Sequence, residues 1–151
     1  MTETTPSIDP SSTREAGRIV NALSFDIEDW FHLVEIESVS DTDRWPDFPT
    51  IVERRTDEIL GICEEFGVKA TFYFLGWIAD RYPELVRRTA EAGHEIGTHS
   101  YWHRKVCDLS PAEFEEDLRR SIAVIEDAGG ARVTSFRAPS FSITPGTEWA
   151  F

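Results

Sequence analysis

A parallel α/β architecture is the fold class this sequence predicts, and three observations carry it. Short β-branched and aromatic runs alternate four times with helix-like runs of three- and four-residue apolar spacing. Glycine or proline separates most of the runs. Polar clusters fall where the strand-like runs end: Asp26 to Asp29 after the first, His99 to His103 after the third, and Arg137 at the fourth. In α/β folds ligands gather at the carboxyl ends of the strands.

Residues 1–17 are rich in Thr, Ser, Pro and Glu and have no apolar core, so they are expected to be a disordered leader and not a signal peptide. Residues 18–151 are expected to form one domain. Ile19 to Ile27 reads as a buried strand that runs into the acids Asp26, Glu28 and Asp29. From Phe31 to Pro49 no period holds, and connections this long are often functional. Ile51, Ile59, Ile62, Cys63 and Phe66 predict a helix over 50–66, stopped by Gly67. Ala70 to Leu75 is a second strand. Pro83 opens a helix that reaches Ala92 and stops at Gly93. His94 to Thr98 is short enough for a third strand. Ser110-Pro111-Ala112-Glu113 is a capping box that opens a helix carrying Phe114, Leu118, Ile122 and Ile125, with Gly129-Gly130 as its end. Arg132 to Arg137 is the fourth strand, and Thr144-Pro145-Gly146 marks another helix start.

The formal net charge is −13, and thirteen of the fifteen positive charges are arginine. Such a surface repels nucleic acid and anionic lipid, so neither is expected as a partner. The acidity also suggests a salt-rich cytosol, where self-repulsion is screened. Folding indifferent to salt up to molar concentration would contradict that. No run of about 18 apolar residues occurs, so no membrane span is expected, and a cytoplasmic location follows by default. Cys63 and Cys107 are too few and too far apart for a disulfide framework or a zinc ribbon.

Three of the four histidines, His94, His99 and His103, fall within ten residues. His99 and His103 would share a face if the backbone between them made a helical turn, with Cβ atoms roughly 5–6 Å apart. Their ring nitrogens could then reach one divalent ion at about 2.0–2.1 Å. A carboxylate from the end of the first strand would complete a carboxylate–histidine–histidine site. His94 reads as structural and His32 as an exposed loop histidine. Trp30, Trp45, Trp77 and Trp102 read as core before sugar-stacking surfaces. Glu113, Glu115, Glu116 and Asp117 read as a solvated helix face.

Five segments, in this order, resemble the polysaccharide deacetylase family, also known as the NodB-homology or carbohydrate esterase family 4 domain. They are Leu23-Ser24-Phe25-Asp26 with its following acids, Lys69 to Gly76, Tyr82 to Val86, Ala92 to His103, and Arg137-Ala138-Pro139-Ser140-Phe141. The Asp26-Ile27-Glu28-Asp29-Trp30-Phe31-His32 variant looks like the subgroup associated with exopolysaccharide or surface-glycan biosynthesis. The resemblance implies a metal-dependent hydrolase that removes acetyl groups from an N-acetylated glycan. It also implies a partial, distorted (β/α) barrel of NodB type, with about four βα units in this chain.

By the same resemblance, His99 and His103 match the two histidine ligands of zinc or a similar divalent ion, and Asp26 matches the general base. The family's second acid follows the base directly, where this chain has Ile27, so Glu28 or Asp29 must bind the metal. Glu28 shares a side with Asp26 by the two-residue period of a strand. Asp29 is shorter and stiffer and is preferred slightly. Arg137 would orient the base through charge-assisted hydrogen bonds. Pro139, Ser140 and Phe141 would contact substrate, with backbone N–H groups near Ser140–Phe141 facing the oxyanion. Phe141 stands where the family often has tyrosine. Later family motifs, including the general acid, would lie beyond Phe151, so a fragment is expected, or a second polypeptide that completes the barrel. Two other readings stay open: an inactive metal-binding half-domain, and an interaction module. A phosphoesterase is disfavoured by the scarcity of basic residues near the site.

Overall fold

The computed structural model describes residues 21–33 and 36–151. The expected leader and the Ile19-Val20 start of the first strand lie outside the described residues. Three strands, β1 (Ser24–Ile27), β2 (Thr71–Phe74) and β3 (Glu95–Thr98), pair in parallel in the order β1-β2-β3. Parallel neighbours need long crossovers, and helices supply them. α1 (Val52–Glu65) joins β1 to β2; α2 (Gly76–Arg81) and α3 (Pro83–Glu91) join β2 to β3; α4 (Pro111–Gly129) follows β3.

The register sets Asp26 beside Tyr73 and Tyr73 beside Gly97. Strand side chains alternate, so these residues share one face with Ser24, Thr71 and Glu95. Phe25, Ile27, Phe72, Phe74, Ile96 and Thr98 take the other. That second face is the core, where Ile27, Phe72 and Phe74 pack with Leu85, Val86 and Ile125 of the covering helices. The helices thus cover the apolar face, and the polar face carries the chemistry.

Two elements differ from expectation. The fourth strand reduces to a single parallel bridge between Thr98 and Phe136. Thr98 pairs with this segment through its N–H, which donates to the Ser135 carbonyl (3.0 Å), and its carbonyl, which accepts from the Arg137 N–H (2.9 Å). The Val133 N–H donates to the Glu126 side chain (Oε1, 2.9 Å) and to no strand, and Ser135 Oγ adds a side-chain bond to Glu95 Oε1 (2.9 Å). Gly97 admits this segment, because a Cβ there would meet Ser135 Oγ at 2.7 Å and the Tyr73 ring at 2.6 Å. α2 was not expected at all; it is only six residues long, too short to show a helical period. It begins at Gly76, where a Cβ would lie 2.6 Å from the Tyr101 ring. Among the described residues the sheet is open and the barrel partial.

The long connection after β1 is folded. Phe31 and Trp45 are fully buried against Trp77, and Trp30 and Trp149 are the exposed tryptophans among the described residues. No helix among the described residues is long and apolar enough to cross a membrane.

Candidate metal and catalytic site

Three ligand-type side chains converge at the carboxyl ends of β1 and β3. Glu28, His99 and His103 each offer an atom within 4.8 Å of the others. Glu28 Oε2 lies 2.9 Å from His103 Nε2 and 4.0 Å from His99 Nε2. Yet this buried oxygen makes no hydrogen bond. Donor atoms that close together without hydrogen-bonding geometry fit a shared cation, and two imidazoles with one carboxylate are a donor set suited to zinc.

Asp29, the acid preferred on length and stiffness, does not join them. The two-residue period decides the matter: Glu28 keeps to the face of Asp26, and Asp29 turns the other way. Its carboxylate accepts from the N–H groups of Ile51 (3.2 Å) and Val52 (3.3 Å) and from the Thr50 hydroxyl, so it caps α1. A carboxylate at a helix N-terminus also meets the positive end of the helix dipole.

His99 and His103 do meet, with ring centroids 5.1 Å apart, but no helical turn brings them together. Ser100 (φ 67°) and His103 (φ 55°) adopt left-handed backbone, making a tight bend. α4 holds that bend from behind. Asp117 accepts from the N–H groups of Tyr101 (2.8 Å) and Trp102 (3.3 Å), and Ser121 Oγ donates to the Ser100 carbonyl (3.0 Å). Ser100 Oγ accepts from the His103 N–H at 2.9 Å. Burial pushes the Asp117 carboxyl above the usual carboxylate range.

Asp117 is therefore no part of a solvated face; it is 8% exposed. The sequence carried a signal for it. Phe114, Asp117, Ser121 and Ile125 are all buried on one helical stripe, so a carboxylate and a hydroxyl sit at core positions. From the sequence Asp117 reads with its acidic neighbours as surface, and Ser121 is not singled out.

The His99 ring has its orientation fixed by Nδ1, which lies 2.7 Å from the Arg137 carbonyl. A carbonyl only accepts, so Nδ1 carries the proton and Nε2 presents its lone pair to the site. Burial lowers the pKa of His99, which favours the neutral, ligating form. Arg137 also grips the candidate base: Nη1 donates to Asp26 Oδ1 at 2.7 Å and Nη2 to Ser24 Oγ at 2.6 Å. Its guanidinium stacks 4.3 Å above the Tyr73 ring.

These groups line a cavity of about 610 Å³, which Ser140 and Phe141 also border. Both adopt left-handed backbone, and the Phe141 ring is 97% exposed. Pro139 is buried and does not line the cavity. His94 stands apart as a structural residue, its Nδ1 accepting from the Ala70 N–H at 3.2 Å. His32, expected to be exposed, is fully buried beside Phe31, Trp45 and Trp77. Burial first and the nearby His103 second lower its pKa to about 3.

Comparison with known proteins bears on the family and the fold. The chain is 31% identical over 84 residues to the peptidoglycan-N-acetylglucosamine deacetylase of Bacillus cereus, covering 56% of this chain and 30% of that protein. It is 30% identical over 73 residues to a chitooligosaccharide deacetylase of Bradyrhizobium, covering 48% of this chain and 33% of that one. It thus spans about a third of the length of these relatives. Among solved structures, a variant of the peptidoglycan deacetylase PdaC from Bacillus subtilis superposes with a TM-score of 0.65 at 26% identity, covering 85% of this chain and 52% of that chain. A mutant of a family 4 carbohydrate esterase pseudoenzyme, described as having restored activity, superposes at 0.64 with 25% identity, covering 85% and 39%. The family model for polysaccharide deacetylases matches residues 41–150, which takes in both histidines and Arg137 and begins after Asp26 and Glu28. With most of its length accounted for by that match, the chain belongs to the polysaccharide deacetylase family.

Proposed function

We propose that the chain carries the metal-binding half of a deacetylase acting on N-acetylated sugars of a glycan, with residues 18–151 as the N-terminal part of its domain. One observation carries this reading. Glu28, His99 and His103 converge in the same cavity where Arg137 holds Asp26. The names of the relatives point to a peptidoglycan or chito-oligosaccharide type of substrate.

Glu28 and the Nε2 atoms of His99 and His103 would hold a divalent ion, zinc on the chemistry of the donor set. When bound, that ion supplies Lewis-acid polarisation of the acetyl carbonyl and a more acidic water. Asp26 accepts the proton of the attacking water, with Arg137 keeping its Oδ1 in place. By the family resemblance, backbone N–H groups near the left-handed turn at Ser140–Phe141 would face the oxygen that gains charge. The amide C–N bond breaks, and acetate and a free amine leave. The family resemblance puts the donor of the amine's proton in later motifs.

A second reading has specific support. Ile27 replaces the acid that usually follows the base in the family this sequence resembles. Metal binding without turnover would then be the function. Acetate release from N-acetylated chito-oligosaccharides, measured with and without chelator, separates the two. Release that chelation and Asp26→Asn both abolish supports the deacetylase; zinc binding without release supports the second reading.

A further inference from the structure

Glu28 lies beyond the last ladder bond of β1, which runs from the Leu75 N–H to the Ile27 carbonyl (3.3 Å). The strand period sets the side on which Glu28 lies. No ladder bond holds its own peptide, so another contact must fix the backbone from which its carboxylate reaches. The next residue, Asp29, is 3% exposed and held from three sides. Its side chain caps α1, its carbonyl accepts from the His32 N–H (3.1 Å), and its N–H donates to His32 Nδ1 (2.7 Å). Two of these holds come from one residue.

His32 is well suited to be a fixed anchor. Its ring is fully buried, with centroids 4.4 Å from Phe31, 4.5 Å from Trp45 and 5.1 Å from Trp77. Because Nδ1 accepts a hydrogen bond, the ring proton must sit on Nε2. Among the described residues Nε2 finds no hydrogen-bond partner, although it is buried. An apolar ring would fill this aromatic slot without leaving a polar atom unsatisfied, so packing alone does not account for an imidazole here. What the imidazole adds is the acceptor at Nδ1. Among the described residues the buried side-chain atoms without a partner are Glu28 Oε2, His103 Nδ1 and His32 Nε2. Two belong to the proposed ligands, and the third belongs to the residue that clamps the peptide beside one of them.

We infer that His32 is a positioning residue for the metal site: acting through the Asp29 amide, it fixes the backbone from which Glu28 reaches the cation. The inference rests on the metal site proposed above. Consecutive Cα atoms are about 3.8 Å apart, so freedom at Asp29 passes directly to Glu28. Outer partners of this kind typically change metal affinity by about 10- to 100-fold.

The test is a zinc titration of the 151-residue chain against a competing chelator, with His32→Phe, His32→Asn and Glu28→Gln in parallel. His32→Phe keeps an aromatic ring and loses the acceptor; in His32→Asn the amide oxygen takes the place of Nδ1. The expected result is about a tenfold or greater loss of affinity in His32→Phe, substantially restored in His32→Asn. Wild-type binding with unchanged affinity in a folded His32→Phe overturns the role of His32 and leaves the metal site standing. A wild type that binds no tighter than Glu28→Gln overturns the metal site itself and this role with it. Should His32→Phe fail to fold, the imidazole ¹⁵N shifts of the wild-type chain decide. A proton on Nε2 is the expected tautomer, and a proton on Nδ1 overturns the inference.

Discussion

His99 Nδ1 donates to the backbone carbonyl of Arg137 at 2.7 Å, while the guanidinium of that same arginine donates to Asp26 at 2.7 Å. One residue thus orients a proposed ligand through its main chain and a proposed base through its side chain. The two roles separate on mutation. Arg137→Ala keeps the carbonyl and loses the guanidinium, so zinc affinity should stay within about threefold of wild type while acetate release falls by about 10²-fold or more. Calorimetric zinc titration and an acetate assay on one preparation check both halves.

Glu28 and Asp29 are adjacent acids with opposite duties. Glu28→Gln should abolish tight zinc binding and leave the metal-free melting temperature nearly unchanged. Asp29→Ala removes the cap of α1 and should lower the unfolding free energy by about 1–2 kcal/mol. Urea unfolding of the metal-free proteins reads this difference. A stability loss in Glu28→Gln equal to that in Asp29→Ala would contradict the assignment.

Asp117 reaches the site through the two amides it caps and through the Ser100 side chain. Asp117→Ala leaves both amides unpartnered, at a cost of about 1–3 kcal/mol for a lost buried bond. It should also weaken zinc binding, because the bend that carries His103 loses its support. Asp117→Asn, which keeps a carbonyl oxygen, should recover part of both effects. Thermal melts with and without zinc measure them together.

The pKa of His32 makes stability depend on pH in one direction. Folding lowers it from 6.5 to about 3. Below pH 6.5 the unfolded chain therefore binds a proton that the folded chain refuses, and unfolding gains as pH falls toward 3. At the limit the difference is worth roughly 5 kcal/mol. His32→Asn, which does not titrate, should lose less stability than wild type between pH 6.5 and pH 4. Parallel acid-unfolding curves give the comparison, and parallel slopes would count against it.

Long, strongly patterned elements were legible in the sequence. The capping box at Ser110, Pro111 in the first turn and the Gly130 stop (φ 65°) define α4 closely. The parity of Glu28 with Asp26 was legible too, since it follows from strand geometry alone. What escaped was tertiary. His99 and His103 looked like a helical pair because spacing alone suggests a turn, but left-handed Ser100 closes the bend with help from a helix that follows in the chain. His32 looked exposed because loops usually are, and nothing local announced that Trp45 and Trp77 would enclose it. The fourth strand shrinks to one bridge, and at Val133 the backbone N–H goes to the Glu126 side chain, a partner that no strand propensity records.

The Asp26–Arg137 contact joins residues 111 positions apart, whereas the Asp29 clamp on Ile51 spans 22. Closing the longer loop costs roughly 1.4 kcal/mol more chain entropy, and contacts between distant segments slow folding. The α1 cap can therefore form early, and the cavity is among the last features to assemble. In refolding followed by stopped flow, helical signal should rise before zinc-binding competence. A nascent chain would stay unable to capture the ion until well after its helices have formed.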